Sequence, residues 1–583
     1  MAGGVLDSVT LEVIRCSLEY AAEEMGVRLR KAAYSPNIKE RMDHSCAIFN
    51  EAGDTVAQAE HIPTHLGSMG WGVRATLKYL EAEGVELRGG DVVIVNNPYV
   101  AGTHLNDVLA ISPVVVGGEV IAYVASKAHY VDVGGKVPGS MPGEAAEVHE
   151  EGLIIPPTKV VEEGVLREDI LKLILANVRA PEVIVGDLKA QIYACEAGVR
   201  RVKELAGRYG VAGLKEAFNA IIAYVESLTE AALRKLPDFR VRGEDVLEDA
   251  GPGRDAVIRV EVVKEGGSVT ADFSGSSPQV PAPLNAPVAV TIAATTYAIK
   301  SVVDPDLPVN AGFYRRVRVE APPSSIVNAS YPAPVAASIE TAQRIVDTVY
   351  AALAKAVAGR VPAASCGSMN NLLLGGPKPG GGGTWAFYET IAGGYGGRPG
   401  KDGVDGVHCN MTNTMNTPIE SIENELPLLV VRYELREGSG GAGRWRGGCG
   451  VVRAIKLLAE RAKATVLGER VKHPPWGLAG GMPGAPARYY VVRAGGSVRM
   501  LRSKETVELR GGDVIVVETA GGGGYGNPRE RDPESVVRDV LDGLITVEQA
   551  VRQYGVDLSR LKEVLRGGSA YGVRGAEARV ADP

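Results

Sequence analysis

Six of the eight histidines, His44, His61, His65, His104, His129 and His149, fall within the first 149 residues. Two of them open the same H-x-x-D pattern, His104 with Asp107 and His129 with Asp132. Imidazole and carboxylate together bind zinc, manganese or iron, and three such ligands leave positions for water or substrate. Between the two patterns lie the apolar runs VLAISPVVV and EVIAYVASKA, joined by Gly117-Gly118, a pair suited to a two-residue hairpin turn. With those glycines as the turn, Val116 faces Glu119 and His129 lies opposite Asn106. His104 shares the parity of Asn106, which makes the two imidazoles diagonal neighbours on one face, ~7 to 8 Å apart at Cβ. Asp107 has the opposite parity in a regular strand, but GTHLND follows Asn97-Pro98 and reads as a loop that lets the carboxylate turn inward. His104, Asp107 and His129 are therefore the metal-ligand candidates. Spacing alone equally fits loop histidines that make ordinary hydrogen bonds.

Other polar residues are candidates for supporting parts. Asp132, the nearest carboxylate that could orient a ligand imidazole by a second hydrogen bond, is a candidate catalytic group. Asp43 in ERMDHSC and His65 in HIPTHLGSM are candidate catalytic groups, and Ser68, Asn410 and Asn413 are candidate substrate contacts, the last two from HCNMTNTMNTPIE. Capping and turn roles compete for all of these polar positions. His61 and His65 have the spacing of a zinc-protease helix, but Ile62 stands where that motif needs its glutamate and Pro63 opposes a helix running through both.

These side chains must be positioned by a large, mixed fold. The chain has 583 residues, enough for about four compact units, with 45% hydrophobic and 23% charged residues, as in an ordinary globular protein. Leu11, Ile14, Leu18, Ala22, Met25 and Leu29 mark a helix face behind an Asp7 or Ser8 cap. SCAIFN and TVAQ read as strands around Gly53-Asp54, a helix follows near Trp71 to Ala82, and DVVIV reads as a buried strand. Helical periodicity dominates 165–237, then AVIRVEVV and SVTADFSG form a hairpin around Gly266-Gly267, and further helices are expected near Val288 to Val302 and Ile339 to Val357. Beyond Gly375 the chain is glycine-rich and strand-like, and two short helices follow near Pro533 to Leu541 and Val547 to Tyr554. The expectation is an α+β protein in five regions. They are an N-terminal region with the candidate site (1–164), a helical subdomain (165–237), a second α/β region (238–374), a β-rich, glycine-rich region (375–527) and a helical C-terminal tail (528–583). Gly521 to Gly524 reads as a backbone crossing with no room for side chains.

Several functions are excluded or disfavoured. The net charge of -7 and the absence of a Lys/Arg cluster argue against nucleic acid. The N-terminus lacks a signal-peptide pattern, Val280 to Ile299 is interrupted by prolines, and the six cysteines are scattered, so the expected compartment is the cytoplasm. Around Gly400-Lys401, Tyr395 and Asp402 occupy positions where a P-loop needs Gly and Ser or Thr. Gly438, Gly440 and Gly443 fit G-x-G-x-x-G, but Arg444-Trp445-Arg446-Gly447-Gly448 follows where a helix should start. The sequence offers no ATP site of its own.

The blocks YSPNIKERMDHSCAIFN, AQAEHIPTHLGSM, NNPYVAGTHLNDV, KAHYVDVGGKVPGSM, EEGLIIPPTKV, DFSGSSPQV, SYPAPVAA, GSMNNLLLGG, MTNTMNTPIE, SGGAGRWRGG and GGGGYGNP resemble, in order, those of the hydantoinase B/oxoprolinase family. The resemblance implies a subunit that acts with a hydantoinase A-like partner, in a hetero-oligomer where the partner binds ATP and phosphorylates the substrate. It implies a divalent metal (Zn, Mn or Fe) held by His104, Asp107 and His129, because the carboxylase relatives hold theirs at the matching positions. Asn97 departs from the family's usual Asp. Three functions follow as expectations: hydrolysis of an activated cyclic amide such as 5-oxoproline or a hydantoin, carboxylation of an activated ketone, or a non-catalytic scaffold for the ATP-binding subunit. The chain's length favours the first.

Overall fold

The computed structural model describes residues 7–59, 61–557 and 559. The first helix, Ser8–Ala32, begins where expected, with the Asp7 carboxylate accepting from the backbone N–H of Val9 and Thr10. Its apolar face, Ile14, Leu18, Met25 and Leu29, is fully buried. It covers one face of an antiparallel seven-stranded sheet in the order β2-β1-β5-β4-β3-β6-β7. These strands are β1 (His44–Asn50), β2 (Thr55–Gln58), β3 (Val92–Val95), β4 (Asp107–Val116), β5 (Glu119–His129), β6 (Thr158–Glu162) and β7 (Val165–Leu166). The helix Pro63–Ala82 covers the other face, packing Leu66, Met69 and Val73 on Ala47, Phe49, Leu109 and Ile111. It starts earlier than the apolar pattern predicts because Pro63 supplies its first turn, where a missing N–H does no harm.

The helices expected over 165–237 are present as Glu168–Leu175, Pro181–Tyr209 and Val211–Arg234. They do not form a separate body: Ile184, Leu188, Ile192 and Phe218 share one core with the first helix and the seven-stranded sheet. A second sheet, β8 (Phe239–Leu247), β9 (Ala256–Glu265), β10 (Ser268–Asp272) and β11 (Val317–Glu320), packs with the helices Val288–Val303 and Ser338–Val357 around a second core.

The C-terminal half is β-rich, as the period-two patterning predicts. Strands β12 (Asn371–Pro377), β13 (Thr384–Thr390), β16 (Arg461–Leu467) and β19 (Lys504–Arg510) make one sheet, in the order β13-β12-β16-β19. Strands β14 (Leu428–Leu435), β15 (Val451–Leu457), β17 (Arg488–Val492), β18 (Val498–Met500) and β20 (Val514–Glu518) make another. The boundary expected at 374/375 falls inside β12, because Gly375 and Gly376 are strand residues placed for close approach. A Cβ on Gly375 would lie 2.3 Å from Pro138, and one on Gly376 would lie 2.8 Å from the carbonyl oxygen of Arg461. The glycines Gly521 to Gly524 are a crossing: a Cβ at each would meet a backbone oxygen at 1.9 to 2.2 Å. Helices at Pro533–Leu541 and Val547–Gln549, the latter continued by a π-helical turn over Ala550–Tyr554, close the described chain. Most of the expected tail beyond them lies outside the described residues.

Candidate metal centre

Asp107 opens β4 and His129 closes β5, and the two are directly paired across the ladder. Directly paired residues share a sheet face, so their side chains project together, on the side of the helix Pro63–Ala82. A regular hairpin predicts Asn106 as the partner of His129. A bulge between Val114 and Val115, with Ile121 as the extra residue, moves the register by one and puts Asp107 there instead. His104 precedes the strand, two residues after Gly102, whose φ of 86° turns the chain back on the short helix Pro98–Ala101. The rings of His104 and His129 have centroids 5.0 Å apart. The convergence of the two histidines therefore comes from a tight loop and a bulge, not from diagonal pairing in a regular hairpin.

His104, Asp107 and His129 are buried, 2% exposed or less. Each offers a ligand atom, and these atoms lie within 4.8 Å of one another. His104 Nδ1 is 3.0 Å from Asp107 Oδ2. Even so, among the described residues neither atom has a hydrogen-bond partner of acceptable geometry, nor has His104 Nε2 or His129 Nε2. His104 Nδ1 and Asp107 Oδ2 have only each other, and two further imidazole nitrogens without a partner in the same buried spot would be expensive in a protein core unless they serve a ligand. Two imidazoles and one carboxylate are the donor set of an open divalent-cation site, so the residues present fit such an ion.

The electrostatics suit the same use. Burial pushes the Asp107 carboxyl up, but the imidazoles of His104 and His65 outweigh it and hold it well below the usual carboxylate range. Burial and the neighbouring His104 push His129 well below the ordinary imidazole value, into the neutral, lone-pair-bearing form. Asp107 is oriented by His65, whose Nε2 lies 3.2 Å from Oδ1. Asp43 lies 3.9 Å from the same nitrogen, and its carbonyl oxygen accepts from the backbone N–H of His129. His65 and Asp43 are thus at the cluster.

The remaining candidates are placed otherwise. Among the described residues Asp132 makes no hydrogen bond or ion pair with either ligand histidine: its carboxylate accepts from the backbone N–H of Gly134, Gly139 and Arg179 and from Arg179 Nη1. It closes its own loop, and all its lone pairs are used there. The imidazole of His129 instead meets Asn37, with Nδ1 3.4 Å from Asn37 Nδ2. Ser68 does not face the cluster: its Oγ donates to the carbonyl of His65 and accepts from Lys127 Nζ. Asn410 donates to Ser365 Oγ, and Asn413 is exposed, reaching only the carbonyl of His61. Their loop is nevertheless tied to the segments that carry His65 and Asp43, since the Met411 carbonyl accepts from Thr64 Oγ1 and the Met415 N–H donates to the Arg41 carbonyl.

Four residues are added by the structure. Lys127 Nζ donates to Ser68 Oγ, the Ala101 carbonyl and Thr103 Oγ1, tying the loop of His104 to the helix of His65. Asn37 and Arg41 approach from the segment before β1, with Arg41 Nη1 donating to the Asn37 side chain and to the Tyr388 carbonyl. The Tyr388 ring stacks on His129. Arg41 and Lys127 lie inside sequence blocks already singled out, but nothing in those blocks signals their partners.

The hydantoinase B/oxoprolinase family profile matches residues 7–528. An uncharacterised protein of Methanocaldococcus jannaschii is 48% identical, over 95% of this chain and 96% of its own. A Pseudomonas sp. protein named as the B-type component of a D-/L-hydantoinase is 34% identical over 96% of both chains. The 5-oxoprolinase 1 of Arabidopsis thaliana is 36% identical over 90% of this chain, which spans only 42% of that longer protein. The crystal structure of the ATP-dependent caprolactamase from Pseudomonas jessenii superposes with a TM-score of 0.89 at 30% identity, covering 99% of this chain and 100% of that one. An acetone carboxylase shares the fold, with a TM-score of 0.88 at 19% identity over 84% of its chain. A profile match of that extent, with relatives aligned over nine-tenths of the sequence, means that the chain belongs to the hydantoinase B/oxoprolinase family.

Proposed function

We propose that this chain is the B-type component of an ATP-dependent cyclic-amide hydrolase, of the 5-oxoprolinase or N-methylhydantoinase type. In this reading an A-like partner binds ATP and phosphorylates the substrate, and the present chain opens the activated ring. The observation that carries it is the buried His104, Asp107 and His129 cluster with its unsatisfied ligand atoms. Three of the relatives, the hydantoinase component, the 5-oxoprolinase and the caprolactamase, are named for rings that contain a carbonyl bonded to nitrogen. That 5-oxoprolinase 1 is more than twice as long as this chain fits a fusion of both parts in one protein.

A divalent ion held by His104, Asp107 and His129 supplies Lewis acidity and fixed positive charge. The chain's own groups do the rest. His65 holds Asp107 through Nε2, and in this reading its Nδ1, without a partner among the described residues, accepts and returns a proton. Asn37 holds the ring of His129. Burial of the whole cluster keeps bulk water from an activated intermediate that would otherwise hydrolyse unproductively. The six cysteines are all free, as suits the cytoplasm, where the partner's ATP is found. Among the described residues no helix is long and apolar enough to cross a membrane.

The test is co-expression with an A-like subunit, then ATP-dependent turnover of a panel of lactams and hydantoins, with elemental analysis of the purified complex. The expected result is a ring-opened amino or ureido acid and about one divalent ion per chain. His129→Ala is expected to lose the ion and turnover while still co-purifying with the partner. Bicarbonate-dependent acid formation would move the chain to the carboxylase branch, and full turnover by His129→Ala would leave it a scaffold.

A further inference from the structure

We infer that Tyr388, in the β-rich half, is a positioning residue for the candidate metal centre, fixing the ring plane of His129; the inference rests on the metal reading above. The torsion that turns a histidine ring about its Cβ–Cγ bond has a broad, shallow preference, so a ligand imidazole needs outside contacts to hold its nitrogen on target. At one edge of the ring, His129 has only the 3.4 Å approach of Asn37. Its face is covered by Tyr388, with ring centroids 4.3 Å apart and planes 6° from parallel. Rotation of the imidazole out of that plane would drive its edge into the phenol ring.

The tyrosine is itself immobilised from three sides. Its hydroxyl donates to Asn371 Oδ1 at 2.8 Å, and Asn371 Nδ2 donates to the buried Glu340 carboxylate at 2.8 Å. That carboxylate also accepts from the backbone N–H of Met369. The Tyr388 carbonyl accepts from Arg41 Nη1, and the Arg41 guanidinium lies 4.8 Å from the ring centroid. A buried tyrosine hydroxyl needs a partner in any case; here the partner is itself held, so the ring against His129 has little freedom to shift. Phe387, the next residue back, faces the opposite core and provides the comparison.

The experiment uses the full chain, with its partner subunit where assembly requires it, and the variants Tyr388→Phe, Tyr388→Leu, Tyr388→Met and Phe387→Leu. Zinc affinity is read by competition with a chelator, and ligand geometry by the visible absorption of the cobalt-substituted protein. Tyr388→Phe keeps the stacked ring and is expected to bind zinc within about threefold of wild type. Tyr388→Leu and Tyr388→Met are expected to bind roughly 10- to 100-fold more weakly, with an altered cobalt spectrum. Phe387→Leu is expected to lower thermal stability and leave both metal readouts unchanged. Should Tyr388→Leu fail to fold, Tyr388→Met, which fills the volume without a ring, gives the same reading. Wild-type affinity and spectrum in a folded Leu or Met variant overturn the inference. A wild-type chain that takes up no divalent ion overturns the metal reading itself, and the inference falls with it.

Discussion

Asp132→Asn separates a structural role from a catalytic one, because it keeps the side chain's shape and removes only a charge and two acceptor sites. In the native loop one carboxylate oxygen accepts from Gly134 N–H at 3.0 Å and Arg179 N–H at 2.9 Å, and the other from Gly139 N–H at 3.1 Å and Arg179 Nη1 at 3.0 Å. An asparagine can satisfy the first pair with its oxygen. Its amide nitrogen must then face the second pair, so two hydrogen bonds are lost: the buried Gly139 N–H is left facing a donor, and the half-buried Arg179 Nη1 keeps only the Gly134 carbonyl. At about 1 to 3 kcal/mol for the one buried group left unpaired, the substitution costs about 1 to 3 kcal/mol. That is an appreciable part of the 5 to 15 kcal/mol typical of a domain, and it lowers the unfolding temperature by roughly 5 °C. Below that temperature the ligands are untouched, so metal content per folded chain is expected to match wild type. The assays are a thermal melt and elemental analysis of the same sample. Unchanged stability with lost turnover would refute the reasoning and return Asp132 to the catalytic set.

Two further outcomes follow from buried ionisable groups. Lys127→Met removes the three hydrogen bonds that tie Ala101 and Thr103 to Ser68, and frees the loop that carries His104; zinc affinity is expected to fall about tenfold by chelator competition, and wild-type affinity would show the tether to be idle. Burial pushes the Glu151 carboxyl from 4.5 up to about 8, against the pull of the Ala336 and Val335 N–H groups. The folded chain then keeps a proton that the unfolded chain releases, so this contribution to stability is complete below pH 4.5 and is lost as pH rises toward 8. Relative to Glu151→Gln, wild type is expected to lose about 1.4 kcal/mol per pH unit across that window, and parallel pH profiles in thermal melts would count against it.

What the sequence makes legible is what local pattern encodes. The apolar recurrence from Leu11 to Leu29 is a buried helix face, and the runs around Gly117-Gly118 are a hairpin. The register read from the turn is off by one because Ile121, the bulged residue, has the same β-branched, apolar character as any regular strand residue there. The error falls on the side chain opposite His129, since a one-residue slip exchanges the two faces of a strand. Asp132 has the spacing of an orienting carboxylate, yet its bonds go to Arg179, on a segment with no pattern that points back to residue 132. Asn410 and Asn413 are substrate-contact candidates by residue type, but the chain takes a left-handed turn at Asn410, φ 49°, and their side chains go to different partners, Ser365 and the carbonyl of His61.

Two of the residues that sequence could not supply, Arg41 and Tyr388, come from the seam between the halves of the chain, and there the glycines have a second use. Arg41 and Tyr388, 347 positions apart, meet because the loop after β5 lies directly on β12. That contact has no room for side chains. A Cβ on Gly139 would lie 2.3 Å from Leu373 Cδ2, and one on Gly375 would lie 2.3 Å from Pro138 Cβ, so each side of the seam has removed a methyl where the other presses in. Strand β13 runs beside β12, with Tyr388 paired to Leu373, the residue that Gly139 admits. The depth to which the loop settles on β12 therefore sets how far the Tyr388 ring stands from His129. A glycine-rich sequence read as a series of turns is, at these positions, what allows a β-rich half to reach a histidine on a strand of the other half.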